Sequence, residues 1–483
     1  MINDAFPLPK FVTFENATIA KEFLGVSTEN SLKVQGIARP EDEQQVQQLV
    51  QWANEHEVTL VPLSSPSGNR RHGLAGLKDA PFVVLDMSRM SRVIHADSED
   101  AIAIIEPGVT FPEFDAQIQK HNLRSIKPFL PRASKSVLAC YLEREPTTLP
   151  NEHWDSTDPL ASLSLTMGSG ESFRTGGAAL YEDLDEALKN GARQMMASGP
   201  IGTDYTRVML GSQGTLGVTS WASIYCQRIP SIEQGFLYGA EDVTTLISIV
   251  RHLALHQLGA QYFMLSQVQL VAALAKGSAH FAELHQLFGK DAMPAWYLYV
   301  NIASRDVLPE ESMQWQLADL SSLVDTLPVT TISQQYPNYL AELEARLSTP
   351  SKEFYKDVPF GTHTEVFCIT QMSKVANLVY LAQNLLADLS DVQVGFYLQP
   401  MIQGTNCHLD ISLFHTDEQT TQLADIEMQL VKVLADNGGF FSRPYGNWSE
   451  DAFARNETIV PHLRRVKDIF DPAGILSPGK LCY

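Results

Sequence analysis

The stretch VVLDMSRMSRVIHADSEDAIAIIEPGVTFPEFDAQIQKHNL, residues 83–123, decides the fold class. It continues the apolar run FVVLDM (82–87) and then meets a second, AIAIIEPG (101–108). Both runs are short and bounded by turn residues, as buried strands are. FPEFDAQIQKHN (111–122) then switches to helical spacing. Upstream, Pro40 and the acidic Glu41-Asp42-Glu43 open another helix, where negative charge suits the N-terminal dipole. Val46, Leu49, Val50 and Ala53 recur on one helical face. His56 and Glu57 end that helix, and VTLVPL (58–63) reads as a strand. The order helix, strand, loop, strand, strand, helix is an α+β pattern.

Further along, ASLSLTMGSGESFRTG (161–176) reads as a hairpin with Gly168-Ser169-Gly170 at its tip. YEDLDEALKNGARQM (181–195) is helical, and GSQGTLGVTSWASIYCQ (211–227) is a glycine-punctuated turn running into a strand that Pro230 closes. From about 231 to 435 the character changes. Long helical patterns (241–257, 310–324, 372–388, 418–436) alternate with the short strands WYLYVNIAS (296–304), VGFYLQP (394–400) and HLDISLF (408–414). A sheet covered by helices, in a separate domain, is expected there. One last helix (about 450–469) leads to DPAGILSPGK (471–480). Internal repeats and low-complexity tracts are absent from the sequence.

At 483 residues the chain is too long for one core, and two or three domains of roughly 100–200 residues are expected. A formal net charge of -21 argues against nucleic acid, whose phosphates need a basic face. The N-terminus lacks a basic start followed by an apolar run, so no signal peptide is expected, and no apolar stretch has the length of a membrane span. The five cysteines, Cys140, Cys226, Cys368, Cys407 and Cys482, are scattered without a Cys-x-x-Cys pair. That excludes an iron–sulfur or zinc set of the usual spacing and fits a reducing cytoplasm.

Five segments together resemble the flavin-linked oxidases of the vanillyl-alcohol oxidase and p-cresol methylhydroxylase type. They are GIARPEDEQQVQQLVQWANEHEVTLVP, the 83–123 stretch, GESFRTGGAAL, GSQGTLGVTSWASI and DPAGILSPGK. The resemblance covers about 33–230 and 437–480, and the segment between more loosely. It implies FAD as cofactor and an α+β fold with a two-lobed FAD-binding domain (1–230). An α/β cap domain (231–436) would supply most of the substrate pocket, and a C-terminal segment (437–483) would return to the FAD domain.

On that pattern LVPLSSPSGNRRHGLAG (60–76) carries the cofactor pyrophosphate, with Ser64, Ser65, Ser67, Gly68 and Asn69 presenting backbone amides and little bulk. Serines stand where the family more often has glycines, and Pro66 removes one donor. On composition alone this is as readily a surface turn. A second cradle is Gly211-Ser212-Gln213-Gly214-Thr215-Leu216-Gly217 with Val218; Lys480 in the closing motif joins the cofactor set. In NEHW (151–154), Glu152 and His153 match the acid and histidine beside the flavin in the resembled oxidases. Such an acid could accept a proton as hydride leaves the substrate carbon; a solvated loop carboxylate is the competing reading. His72 and Ser442 fall where phenol oxidases have tyrosines, while Arg443 matches their arginine and suits an anionic substrate group. The lost tyrosines count against a simple alkylphenol, and Tyr445 is the residue that could compensate.

GTNCHLDISLF (404–414) resembles both the strand carrying the histidyl flavin link and the GDGNLHLNI strand of the D-2-hydroxy-acid dehydrogenases. His408 is its single histidine, so a complete metal site is not expected. Its alternation, with Asp410 and Ser412 on the same face, reads as a half-buried strand whose polar face could line the pocket. The resulting expectation is an FAD-dependent oxidoreductase acting on a hydroxyl-bearing small molecule, either an aromatic alcohol or alkylphenol or a 2-hydroxy acid. An electron-transfer protein partner is expected, and a homo-oligomer is left open. The competing class is a flavin-carrying or degenerate non-catalytic subunit of a larger redox complex.

Overall fold

The computed structural model describes residues 9–24, 33–66, 74, 76–77, 80–150, 159–191, 199, 202–389 and 391–483. In the first sheet, Val34–Arg39, Phe82–Asp86 and Thr59–Leu63 run parallel, with Thr13–Asn16 antiparallel at the edge. Parallel neighbours need a crossover, and helix Glu43–Glu55 supplies it. Asp42 caps that helix by accepting from the Gln45 amide at 2.8 Å. Val46, Leu49, Val50 and Ala53 are fully buried against the sheet, so the stripe read from the sequence is the packing face.

The second sheet is antiparallel, in the order Val93–Asp97, Ile102–Ile105, Gly217–Tyr225, Leu160–Met167, Ser172–Arg174. The hairpin expected at 161–176 is present. Helix Phe111–Ile118 packs on this sheet but is shorter than its pattern: the chain tightens into a 3-10 turn, Gln119–His121, and Asn122 turns away at φ 56°. The 181–195 pattern likewise yields a regular helix only over Leu184–Lys189, after which Gly191 takes φ 74°. Residues 192–198 lie outside the described residues.

The third major sheet has seven antiparallel strands, in the order Thr330–Thr331, Glu233–Ala240, Trp296–Ala303, Gln261–Ser266, Gln393–Met401, Asn406–His415, Thr362–Gln371. Helices Val243–Leu255, Pro309–Val324, Val375–Leu385 and Thr420–Asp436 cover one face. Asn406–His415 corrects the half-buried reading: from Cys407 on, every residue is buried. Leu409, Ile411 and Leu413 enter the helix-covered core, while His408 and Asp410 line a cavity on the opposite face. Strands have two faces, and an enclosed polar cavity has the same period-2 signature as solvent.

Two helices replace the single one expected over 450–469. They are Asn447–Ala454 and Val460–Phe470, and the second begins with Pro461 in its first turn. The C-terminal segment then returns to the first sheet. Leu60 N donates to Ile475 O and Ser477 N to Leu60 O, both at 2.9 Å. Buried Lys467 locks this return, donating from Nζ to Thr215 O (2.6 Å), Asp471 Oδ2 (2.5 Å) and Leu476 O (2.9 Å). Three acceptors satisfy an ammonium that burial would otherwise penalise. Among the described residues, no helix is long and apolar enough to cross a membrane.

Candidate active site

A cavity of about 530 Å³ opens where the first two sheets, the seven-stranded sheet and the C-terminal return converge. One wall comes from turns. Ser64 and Ser65 leave strand Thr59–Leu63 at its C-terminal end, and Ser65 Oγ accepts from the Ser136 amide at 3.1 Å. Facing them is the 211–217 turn. Gly211, Gln213 and Gly214 have φ of 71°, 54° and 72°, the left-handed region that glycine enters without cost. Thr215 Oγ1 donates to Ser212 O at 2.7 Å and closes the turn. Gly214, Gly217 and Val218 line the cavity; Gly211 and Thr215 shape the turn behind it. Lys480 completes this wall, donating to Gln213 O at 3.3 Å, and its burial holds its pKa down to about 8.

The opposite wall belongs to the seven-stranded sheet. On strand Thr362–Gln371, His363, Glu365 and Phe367 fall on alternate positions and all face the cavity. On its neighbour, His408 and Asp410 do the same, with Phe367 opposite Asp410 in register. Lys356, in the loop before the strand, sits between two carboxylates: Nζ donates to Glu365 Oε2 at 2.5 Å and to Asp410 Oδ2 at 2.6 Å. Burial opposes its charge, but the two carboxylates outweigh burial and hold its pKa above the ordinary lysine value. His363 Nδ1 lies 2.7 Å from Asp357 Oδ1, and Nε2 is 3.7 Å from Glu365. Burial opposes its protonation too, yet the two acids raise its pKa. For His408 the balance is the reverse: burial, then Arg443 and Lys356, outweigh Glu365, push its pKa well down and keep the imidazole neutral.

Arg443 lies between the two walls. It is 6% exposed, its guanidinium stands 4.5 Å over the Phe367 ring, and its Nε has no hydrogen-bond partner among the described residues. Tyr445 donates to Glu143 Oε2 at 2.6 Å, so its hydroxyl is engaged. Arg443, His408 and Lys480 therefore share one cavity with Ser64, Ser65, Gly214, Gly217 and Val218. Ser67, Gly68, Asn69, His72, Glu152 and His153 lie outside the described residues.

Reading the sequence missed Lys356, His363, Glu365, Arg132 and the ion pair of Lys135 with Glu145, all of which line the cavity. The available signal was His363-x-Glu365-x-Phe367, polar groups at period 2 inside an apolar strand. Lys356 carries no such signal, since SKEFYKDVPF reads as a solvated loop. Among the described residues, no three side chains of the metal-ligating type are grouped to hold a metal.

The turn wall fits a dinucleotide. A Cβ on Gly214 would stand 2.6 Å from Pro62 Cγ, so only glycine lets the turn approach strand Thr59–Leu63 this closely. The Lys480 ammonium supplies a buried positive charge for phosphate. Gly214→Ala is accordingly expected to weaken flavin retention by about tenfold or more, since backbone strain of roughly 1–3 kcal/mol falls on the turn itself. The check is flavin absorbance per mole of purified chain, with full occupancy counting against this wall.

Comparison with known proteins agrees with the geometry. A family model for an FAD binding domain matches residues 34–129, and one for the C-terminal domain of FAD linked oxidases matches 267–481. The chain is 20% identical over 459 residues to D-2-hydroxyglutarate dehydrogenase of Stutzerimonas stutzeri (strain A1501), spanning 92% of this chain and 90% of that protein. It is 28% identical over 191 residues to the mitochondrial D-lactate dehydrogenase (cytochrome) of Arabidopsis thaliana; that match spans 40% of this chain and 30% of the Arabidopsis protein. The structure of p-cresol methylhydroxylase with substrate bound superposes with a TM-score of 0.76 at 17% identity, over 94% of this chain and 90% of that one. With both family models in chain order and the turn wall between their sheets, the chain belongs to the FAD-linked oxidoreductases, is an FAD-dependent oxidoreductase, and shares the fold of p-cresol methylhydroxylase.

Proposed function

We propose that the chain oxidises a hydroxyl-bearing, anionic small molecule bound between the seven-stranded sheet and the turn wall. The observation that carries this is Arg443, a nearly buried guanidinium lining the cavity, its Nε without a hydrogen-bond partner among the described residues. An unpaired buried charge costs several kcal/mol, and an incoming carboxylate or phenolate offsets that cost. FAD, when bound, would supply the hydride acceptor for the substrate carbon. Ser64, Ser65, Gly214, Gly217, Val218 and Lys480 would hold it, with Gly211 and Thr215 fixing the turn; Ser67, Gly68 and Asn69, outside the described residues, remain candidates from the sequence. Residues 1–230 form the FAD-binding domain, 231–436 the cap, and 437–483 the returning segment.

The hydroxyl proton needs an acceptor. Glu152, His153 and His72 remain the sequence's candidates, and His408 adds a neutral imidazole within the cavity lining. The charged lining supports a 2-hydroxy acid over a neutral alkylphenol, and Tyr445, already bonded to Glu143, does not replace the tyrosines absent at positions 72 and 442. A second reading, an aromatic alcohol, is supported by the rings of Phe129, Phe367 and Tyr397 in the same lining. Electrons then pass to a partner protein, with self-association of the chain left to measurement. A reducing cytoplasm suits five cysteines that are all unpaired. The deciding experiment is an anaerobic screen of hydroxy acids and aromatic alcohols for bleaching of the flavin band. A folded chain that takes up no FAD sinks the enzyme reading and leaves the non-catalytic subunit.

Two further outcomes are expected. The ring of His408 neighbours Phe367 and Tyr397, on the substrate side. Acid precipitation should therefore leave a white pellet and a yellow supernatant; a yellow pellet would move His408 to a covalent flavin link. For Lys480, a bound phosphate restores the charge that burial suppresses, so FAD binding takes up a proton above pH 8. The Kd for FAD should rise by up to about tenfold per pH unit from there. Lys480→Met should flatten that slope. In the apoprotein the sign reverses: with the folded pKa at about 8 and the unfolded value at 10.5, the Lys480 contribution to stability rises across that interval.

A further inference from the structure

We propose that Arg132 makes a second anion position in this cavity, in addition to Arg443, so that the preferred substrate carries two anionic groups. This rests on the reading of an anionic substrate given above and goes beyond it by naming the charge of the ligand.

Arg132 enters from the loop before helix Val137–Leu142 and is fastened to the cap side. The next residue, Ala133, donates its amide to Ser351 O at 2.6 Å. Phe129, three residues earlier, stacks on Tyr397 of the seven-stranded sheet with ring centroids 4.6 Å apart. The guanidinium therefore belongs to the substrate side and not to the wall of Ser64, Gly214 and Lys480. Like Arg443, Arg132 lines the cavity with a buried Nε that has no hydrogen-bond partner among the described residues. Buried guanidinium donors in folded proteins are normally satisfied, so two orphans on one cavity point to a ligand.

The two guanidinium groups set how many anionic groups that ligand has, since neither is in a direct ion pair among the described residues. Glu145 is the carboxylate whose field both arginines share, and its direct ion pair is with Lys135. Glu145 thus lies in the field of three cations but is the direct partner of neither guanidinium. Asp357 also acts on Arg132, but it is bonded to His363. Burial lowers the Arg132 pKa despite both acids, as expected of a cation not yet fully compensated. A monocarboxylate would neutralise one guanidinium and leave the other exposed to the cost of burial. A dicarboxylate, or a carboxylate with a phenolate, neutralises both, each through a fork of N–H donors.

The test titrates the FAD-loaded enzyme with succinate, glutarate and terephthalate, and with butyrate and benzoate as monocarboxylate partners, following the flavin absorbance. The best-fitting dicarboxylate should bind about tenfold or more tighter than its monocarboxylate partner. Arg132→Met should abolish that advantage while leaving monocarboxylate binding unchanged, and Arg132→Lys should keep part of it. Equal binding of both classes by the unaltered enzyme overturns the second position even where a variant fails to fold. Equal weakening of both classes by Arg132→Met overturns it too. Silence towards every acid overturns the anionic-substrate reading itself, and the second position with it.

Discussion

Arg443→Ala is expected to weaken substrate binding by roughly 2–5 kcal/mol, a rise of roughly 30- to 5,000-fold in Kd, with flavin content unchanged. The size follows from burial. An exposed pairing would be worth less than 1 kcal/mol, because water screens it and the side chain must be ordered. Arg443 is 6% exposed and already stacked on Phe367, so desolvation and ordering are complete before substrate arrives. Arg443→Lys should fall in between, since a point charge keeps the attraction but loses the planar fork and the stacking. The measurement is Kd from flavin perturbation, together with KM and kcat. An interaction equal in ground and transition states raises KM alone; one that tightens as hydride leaves also lowers kcat. Unchanged KM and kcat in Arg443→Ala would remove this residue from the site.

How much of this was legible before the structure depends on the range of the interactions. Glu43–Glu55 declares itself because a helix carries its packing stripe within about four turns of sequence. Glycines 211, 214 and 217 declare the turn for the same reason, since backbone conformation is a local property. Arg443 was found because its surrounding motif is contiguous. The groups that face it are another matter. Lys356 lies 54 residues from Asp410 and forms its ion pair only once two strands pair in register. The polar face of strand Asn406–His415 was legible as pocket lining, but its full burial was not. His408 and Asp410 alternate with Leu409 and Ile411 as a solvent-facing strand would, and only the returning C-terminal segment and the 128–135 loop make that face interior. Helix ends failed locally: Asn122 in the left-handed region and Pro461 in a first turn each stop a periodicity that the apolar residues alone would continue.

Lys356→Met should produce the largest loss of stability in the molecule, on the order of 3–5 kcal/mol, because it strips the cation from two buried carboxylates. Lys356 is 2% exposed and Asp410 7%, and both Glu365 and Asp410 depend on the one ammonium. In the parent protein this contribution does not vary across ordinary pH. The folded pKa of Lys356 lies above the unfolded value, so its stabilisation is fully present below 10.5 and lost only above that. Removing the cation enlarges the dependence in the carboxylate range. Burial already raises the Asp410 pKa, and without Lys356 the two neighbouring acids repel as well, so at least one is held above its unfolded value. The folded state then binds more protons than the unfolded one, and stability falls as pH rises through the carboxylate range. Thermal unfolding of Lys356→Met between pH 5 and 8 should therefore show Tm falling more steeply with pH than in the parent. Adding Asp410→Asn removes one of the stranded charges and should recover part of the lost Tm, with a non-additive double-mutant cycle of roughly 1–3 kcal/mol. An additive cycle, or a Tm in Lys356→Met that does not depend on pH, would mean that the three groups do not share one buried charge balance.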